Sequence, residues 1–199
     1  PAATKKDIDY LLATLNQIVE NPLTTEDVVG VYVGLRPLLT GDQEKTTKLS
    51  REHAVTNSRE GLISISGGKY TTYRVMARDT INAVGIDQGR ELQESQTSEV
   101  PLIGAQKYKE VENRAKSISE SSGVPLASIN HLISRHGDRV DEVLSLIATD
   151  QSLKELIDED LPYLRAEIVH SVRFEAALHL EDVLTRRTRI SIESWDRGT

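Results

Sequence analysis

Two glycines, a lysine and two hydroxyl residues stand together in Ser66-Gly67-Gly68-Lys69-Tyr70-Thr71-Thr72-Tyr73-Arg74. Paired glycines let the backbone turn sharply and come close to a ligand. A helix starting just after them points free N–H groups and the positive end of its dipole at the turn. Lys69 adds a full positive charge, and Thr71 and Thr72 add hydroxyls. The chemistry on offer is capture of an anion or of the electron-rich edge of a cofactor; a bare structural turn reads the same way. A Walker A loop is excluded, because Tyr70 follows Gly68-Lys69 and Ile63 stands where the first glycine is needed. A GxGxxG dinucleotide fingerprint is absent as well.

Gly34-Leu35-Arg36-Pro37-Leu38-Leu39 offers a second basic group. Pro37 forces Arg36 into an extended conformation and ends strand pairing. A guanidinium so held can take two phosphate or carboxylate oxygens at once, or pair with a local acid. Arg51, in Leu49-Ser50-Arg51-Glu52-His53, is a third cation, with Glu52 at hand as a partner. The five histidines show no HExxH. Glu167 and His170 form one Glu-x-x-His, whereas a carboxylate-bridged di-iron centre needs two such pairs and two further Glu. No metal site is expected, and His170 and His179 read as polar core or rim residues. Arg186, Arg187 and Arg189 complement the end of a helix and read as an ion-pair cluster.

These groups need a scaffold, and the composition permits a folded one. The chain has 199 residues, 38% hydrophobic and 28% charged, and carries 24 basic against 31 acidic side chains for a net charge of −7. Mean hydropathy is −0.37. A chain of this length buries about 70% of its unfolded surface and needs no staple. The absence of Cys excludes disulfides, thiolate catalysis and iron–sulfur clusters. No apolar run reaches the roughly 18–20 residues of a membrane span, and no apolar signal core opens the chain. A net negative charge argues against nucleic acid, which rewards clustered Lys and Arg.

The periodicity changes near residue 90. In the first half, Ile8, Leu11, Leu12, Leu15, Ile18 and Val19 predict an amphipathic helix over 7–20, ending before Pro22. The β-branched run Val28–Val33 predicts a strand, a second strand is expected around His53-Ala54-Val55, and Leu62–Ser66 alternates as a third. A helix is expected from Thr71 to Val84. Residues 87–99, nearly free of apolar side chains, read as a solvated linker. The second half is expected to be helical throughout, over 107–121, 125–136, 138–149, 152–158 and 162–185. Pro125 suits a first helical position and Gly137 an αL stop.

Taken in order, these motifs resemble the C-terminal part of the FAD-dependent glycerol-3-phosphate dehydrogenase family. The resemblance is carried by Asp7–Leu12, Gly34–Leu39, Ser50–His53, Gly67–Arg74, Val100–Ala105 and Asp182–Ile190, which span nearly the whole chain. It implies that Gly67, Gly68, Tyr70 and Thr71 lie at the FAD and Lys69 between flavin and substrate. Arg36 and Arg51 would then bind the phosphate of glycerol 3-phosphate. Tyr70 departs from the Leu often found there, without loss of a functional side chain. The Gly-rich FAD fingerprint of the family would lie upstream of this chain.

The fold implied is an α+β fragment of an FAD/substrate domain followed by an all-α helical C-terminal domain. Residues 1–86 are the incomplete FAD/substrate part, 87–99 the linker and 100–199 the helical domain. The parent enzyme would oxidise glycerol 3-phosphate to dihydroxyacetone phosphate and pass electrons to quinone. The isolated piece would be inactive and bind FAD poorly. The resemblance further implies a cytoplasmic protein, open to a peripheral contact with the inner face of the cell membrane and to homodimer formation. Two other readings stand beside it: an oxidase that uses oxygen, and a non-catalytic helical interaction or oligomerisation module.

Overall fold

The computed structural model describes residues 2–35 and 52–198. The chain is mostly helical, with one two-stranded sheet among the described residues. Contacts divide it into two compact units: Pro1–Val33 with Leu102–Thr199, and Gly34–Pro101. Residues before Gly34 therefore pack with the helical half rather than with the stretch up to residue 86.

In the smaller unit, β1 (His53–Arg59) and β2 (Leu62–Gly67) form an antiparallel hairpin with Val55 opposite Ile65. Gly61, with φ +75°, makes the turn between them. One 3₁₀ turn (Tyr70–Thr72) then leads into α2 (Tyr73–Asp87), which packs on both strands. Asp87, at the end of α2, accepts hydrogen bonds from Asn57 Nδ2 and from the Gly61 N–H at 3.3 Å, which ties the hairpin tip to the helix. The expected strands and helix thus form within a few residues of their predicted ends. Residues 88–99 contain no helix or strand.

In the larger unit, α1 (Lys5–Leu15) begins with a capping box in which Thr4 and Asp7 satisfy each other's backbone N–H groups. It stops well before the expected residue 20. The Asn16 side chain donates to Leu23 O at 2.9 Å and accepts from Leu23 N at 2.7 Å, so the chain turns back on itself. Val28–Val33 is not a strand among the described residues. β-Branched residues favour a pleated, half-buried surface, and here the run pairs with no neighbour and leaves Tyr32 exposed.

The core lies in α3 (Tyr108–Asn113), α4 (Ala115–Ser122), α5 (Leu126–His136), α6 (Val140–Thr149) and the start of α7 (Arg165–Phe174). Ile129, Leu132 and Ile133 on α5 meet Val140, Val143 and Ile147 on α6, all buried at helical spacing. Each such side chain contributes about 1.5–3 kcal/mol through burial. Residues 151–158 hold a 3₁₀ turn (Gln151–Lys154) and an extended piece bridged to Leu164, not the expected helix.

The long helix expected over 162–185 is also broken. α7 ends at Phe174, and Ala176 takes φ +55°. The Asp182 carboxylate accepts from the N–H groups of Leu178 and His179, starting a new π-helical turn (Asp182–Arg187). Arg187 Nε meanwhile donates to the Glu175 carbonyl at 2.8 Å. Leu178 and Leu180, in the broken stretch, are exposed. A short α8 (Ile190–Glu193) follows. Gly30 lies so close to Ile192 on this helix that a Cβ there would stand 2.5 Å from its backbone.

Candidate functional site

The glycine turn sits where the sequence put it, between β2 and α2. Gly67 and Gly68 take φ +75° and +78°, a region side chains avoid. A Cβ on Gly68 would stand 2.6 Å from Met76 Sδ and 3.2 Å from His53 Cβ, so the turn is packed tightly on its inner side. Beneath it, His53 Nε2 lies 2.9 Å from Asp79 Oδ2, linking β1 to α2. Arg78 donates to the other oxygen of Asp79 at 2.8 Å. The Arg78 bond, and then the His53 bond, hold the Asp79 carboxyl below its usual value against the opposing effect of burial.

Outward, the turn faces an open cavity of about 940 Å³, lined by Gly67, Gly68, Lys69, Tyr70 and Thr71 with Ile65 and Tyr73. Thr72 Oγ1 donates to Lys69 O at 3.0 Å and accepts from Lys69 N at 3.3 Å, closing the turn. Among the described residues, nothing accepts from the backbone N–H groups of Tyr70 and Thr71. Tyr70 is 90% exposed and stacks on Tyr73 with ring centroids 6.0 Å apart. Two unclaimed N–H donors, a threonine hydroxyl and an ammonium beside an apolar wall suit a flat heteroaromatic group with a carbonyl edge. Five predicted residues, Gly67, Gly68, Lys69, Tyr70 and Thr71, therefore line one cavity. Arg36 and Arg51 lie outside the described residues.

The helical unit holds a second concentration of polar groups. Glu167, in the first turn of α7, is 2% exposed. Its Oε2 accepts from Leu164 N at 2.8 Å, and its Oε1 lies 3.3 Å from His131 Nε2 and 3.6 Å from Arg135 Nε. Burial opposes ionisation, but the His131 imidazole, the more distant His136 and the Leu164 N–H outweigh it and hold the carboxyl down at about 2. Tyr163 packs edge-on against His131 and donates its hydroxyl to Glu193 at 2.9 Å. That hydroxyl also accepts from Arg189 N at 3.1 Å, which joins the start of α7 to α8. Burial first, and then the Glu193 bond, push the Tyr163 pKa up.

His170 is buried and His179 exposed, so one belongs to the core and the other to the rim. Of the basic run expected to form an ion-pair cluster, Arg186 pairs with Asp182 at 3.0 Å and Glu181 at 3.5 Å, while Arg187 donates to a backbone carbonyl instead. His131, Arg135 and Tyr163 carried no signal in the sequence. Only the spacing of four between His131 and Arg135 hinted that they share a helix face.

Comparisons with known proteins agree along the chain. Residues 95–199 match the family described as the C-terminal domain of alpha-glycerophosphate oxidase. The glycerol-3-phosphate dehydrogenase 2 of Mycobacterium tuberculosis is 48% identical over 198 residues, which is 100% of this chain and 34% of that protein. The glycerol-3-phosphate dehydrogenase of Mycobacterium leprae is 46% identical with the same coverage. The chain thus spans about a third of the length of the curated relatives it matches. Among solved structures, the glycerol-3-phosphate dehydrogenase from Bacillus halodurans, complexed with FAD, is similar with a TM-score of 0.74 and 28% identity. That likeness covers 96% of this chain and 37% of the other.

Proposed function

The chain belongs to the family of the C-terminal domain of alpha-glycerophosphate oxidase, and from that premise we propose that it forms the C-terminal third of an FAD-dependent glycerol-3-phosphate dehydrogenase. The carrying observation is the likeness, over 96% of the chain, to a solved glycerol-3-phosphate dehydrogenase complexed with FAD. The cavity at Gly67–Thr71 is consistent with that reading. Residues 1–86 are then the end of an FAD/substrate domain, although residues 1–33 pack with the helical unit, and residues 100–199 are the family's helical domain. Exposed Leu11, Leu15, Val31 and Tyr32, which line one groove of the larger unit, would be covered by the rest of the enzyme, since monomers rarely leave apolar surface clustered.

When bound, FAD supplies the acceptor for the hydride that leaves C2 of glycerol 3-phosphate as dihydroxyacetone phosphate forms. The N–H groups of Tyr70 and Thr71 and the Thr71 hydroxyl would hold it, and Gly67 and Gly68 would allow the close approach. Lys69 brings positive charge to the place where the reaction deposits electrons. Arg36 and Arg51 grip the substrate phosphate through charge-assisted hydrogen bonds of about 1.5–3 kcal/mol each. Anchoring the phosphate orients C2, on which the transfer depends.

Quinone is the proposed acceptor for the whole enzyme, and the 199-residue chain alone is proposed to be inactive. The test is anaerobic mixing of the whole enzyme with glycerol 3-phosphate, with flavin absorbance as the readout. Bleaching is expected; unchanged absorbance overturns the assignment. The family description, which names an oxidase, favours oxygen as a second reading of the acceptor. Stoichiometric peroxide in air supports oxygen, and reduction of a quinone analogue without peroxide supports the first.

A further inference from the structure

We propose that His136, His170 and Glu175 bind one divalent transition-metal ion of the zinc class within the helical unit. The proposal is independent of the flavin site. It departs from the expectation that the histidines form no metal set, because the three ligands sit 34 and 5 residues apart and match no sequence motif.

The ligand atoms of these residues lie within 4.8 Å of one another. Glu175 Oε1 is 3.9 Å from His136 Nδ1 and 3.8 Å from His170 Nδ1. Both separations exceed a hydrogen bond. In a tetrahedral zinc site, ligand distances of 2.0–2.2 Å place neighbouring ligands about 3.4 Å apart. Small side-chain rotations close that difference.

His170 Nδ1 is buried without a hydrogen-bond partner, and the side chain is only 5% exposed. Buried polar atoms are nearly always paired, so one without a partner calls for a ligand. The other nitrogen of each imidazole faces a carboxylate. His170 Nε2 lies 3.5 Å from Glu142 Oε2, and Glu142 is itself held by Arg139. His136 Nε2 lies 3.9 Å from Glu167 Oε1. A carboxylate behind a ligating histidine selects its tautomer and raises its basicity. His170 has one within hydrogen-bond reach; the Glu167 carboxylate, at 3.9 Å, is too far to fix the tautomer of His136.

The surroundings suit an ion as well. The two rings meet edge-on, centroids 4.8 Å apart, and the Phe174 ring lies 5.1 Å from His170. Glu175 is 30% exposed, which leaves an ion a route in from solvent. Two imidazoles and one carboxylate select a borderline ion over calcium or magnesium, which prefer all-oxygen shells.

The test titrates the chelator-stripped full chain with Zn²⁺, and with Co²⁺ as a spectroscopic probe. One ion per chain is expected, with the ligand-field absorption of four-coordinate Co²⁺. A hundredfold excess of Zn²⁺ over Kd should raise Tm by about 5–10 °C. Glu175→Gln, at a partly exposed position, should weaken Zn²⁺ binding at least tenfold. Glu142→Gln should weaken it about 10–100-fold by releasing the ring of His170. His179→Asn, on the rim, should leave it unchanged. Absence of saturable binding overturns the proposal, and so does equal affinity in Glu175→Gln and the parent chain.

Discussion

Gly137 lies with its backbone directly against that of Gly104, so that a Cβ on Gly137 would overlap the Gly104 carbonyl. The same carbonyl accepts from Asp138 N at 2.8 Å, and Asp138 Oδ2 accepts from Lys107 N at 2.9 Å. This double tie fixes the segment before α3 to the end of α5. Gly137 takes φ +59° and ψ −132°, outside the αL region expected of a helix stop. Gly123, by contrast, takes φ +70° and ψ +17° with nothing within 4 Å of its Cβ position.

Gly137→Ala should therefore cost about 3 kcal/mol or more, since strain and steric overlap act together. Gly123→Ala should cost only about 1–2 kcal/mol, the usual αL penalty. Urea unfolding of the two variants checks the contrast. Equal losses would show that the Gly104–Gly137 contact does not constrain the fold.

Glu167→Ala should destabilise the helical unit by about 3–5 kcal/mol, because it takes the acceptor from the half-buried His131 and from the Leu164 N–H and removes the carboxylate beside Arg135. Glu159→Ala, at an exposed site, should fall within about 0.5 kcal/mol of the parent. Thermal unfolding compares them.

Asp79 has a folded pKa below its ordinary value of 3.8. A depressed carboxyl contributes stability that is present above the unfolded pKa and lost as pH falls through the folded one. The Asp79→Asn variant should thus lose less stability than the parent as pH is lowered below 3.8. The urea midpoint against pH is the measurement, and parallel curves would remove Asp79 from the acid limb.

In the whole enzyme, Arg36→Lys should raise KM for glycerol 3-phosphate at least about tenfold, as a planar fork becomes a point charge. Lys69→Ala should lower both turnover and retained flavin, read from initial rates and the absorbance of the purified protein. Normal values for both would take Lys69 out of the site.

Short-range elements were the legible ones. The β1–β2 hairpin, α2 and α5 announce themselves through alternation, glycine punctuation and helical spacing, each decided within a few neighbouring residues. The Gly67–Thr71 turn was legible for the same reason. Errors gathered where a particular side-chain bond or a missing sheet partner overrides the periodicity. Asn16 ends α1 by binding Leu23, Asp182 restarts the chain after α7, and Val28–Val33 has β-branched residues but no strand beside it.

The sequence by itself determined the helical majority, the glycine turn between β2 and α2, and motifs specific enough to point to one enzyme family. All of these rest on local spacing or on ordered residue identity. Only the tertiary structure joined residues 1–33 to the helical half, buried Glu167 among two histidines and an arginine, and brought His136 to His170 and Glu175. Those pairings depend on which helix faces meet when the core closes. Three polar residues scattered along a chain carry no periodicity to reveal it.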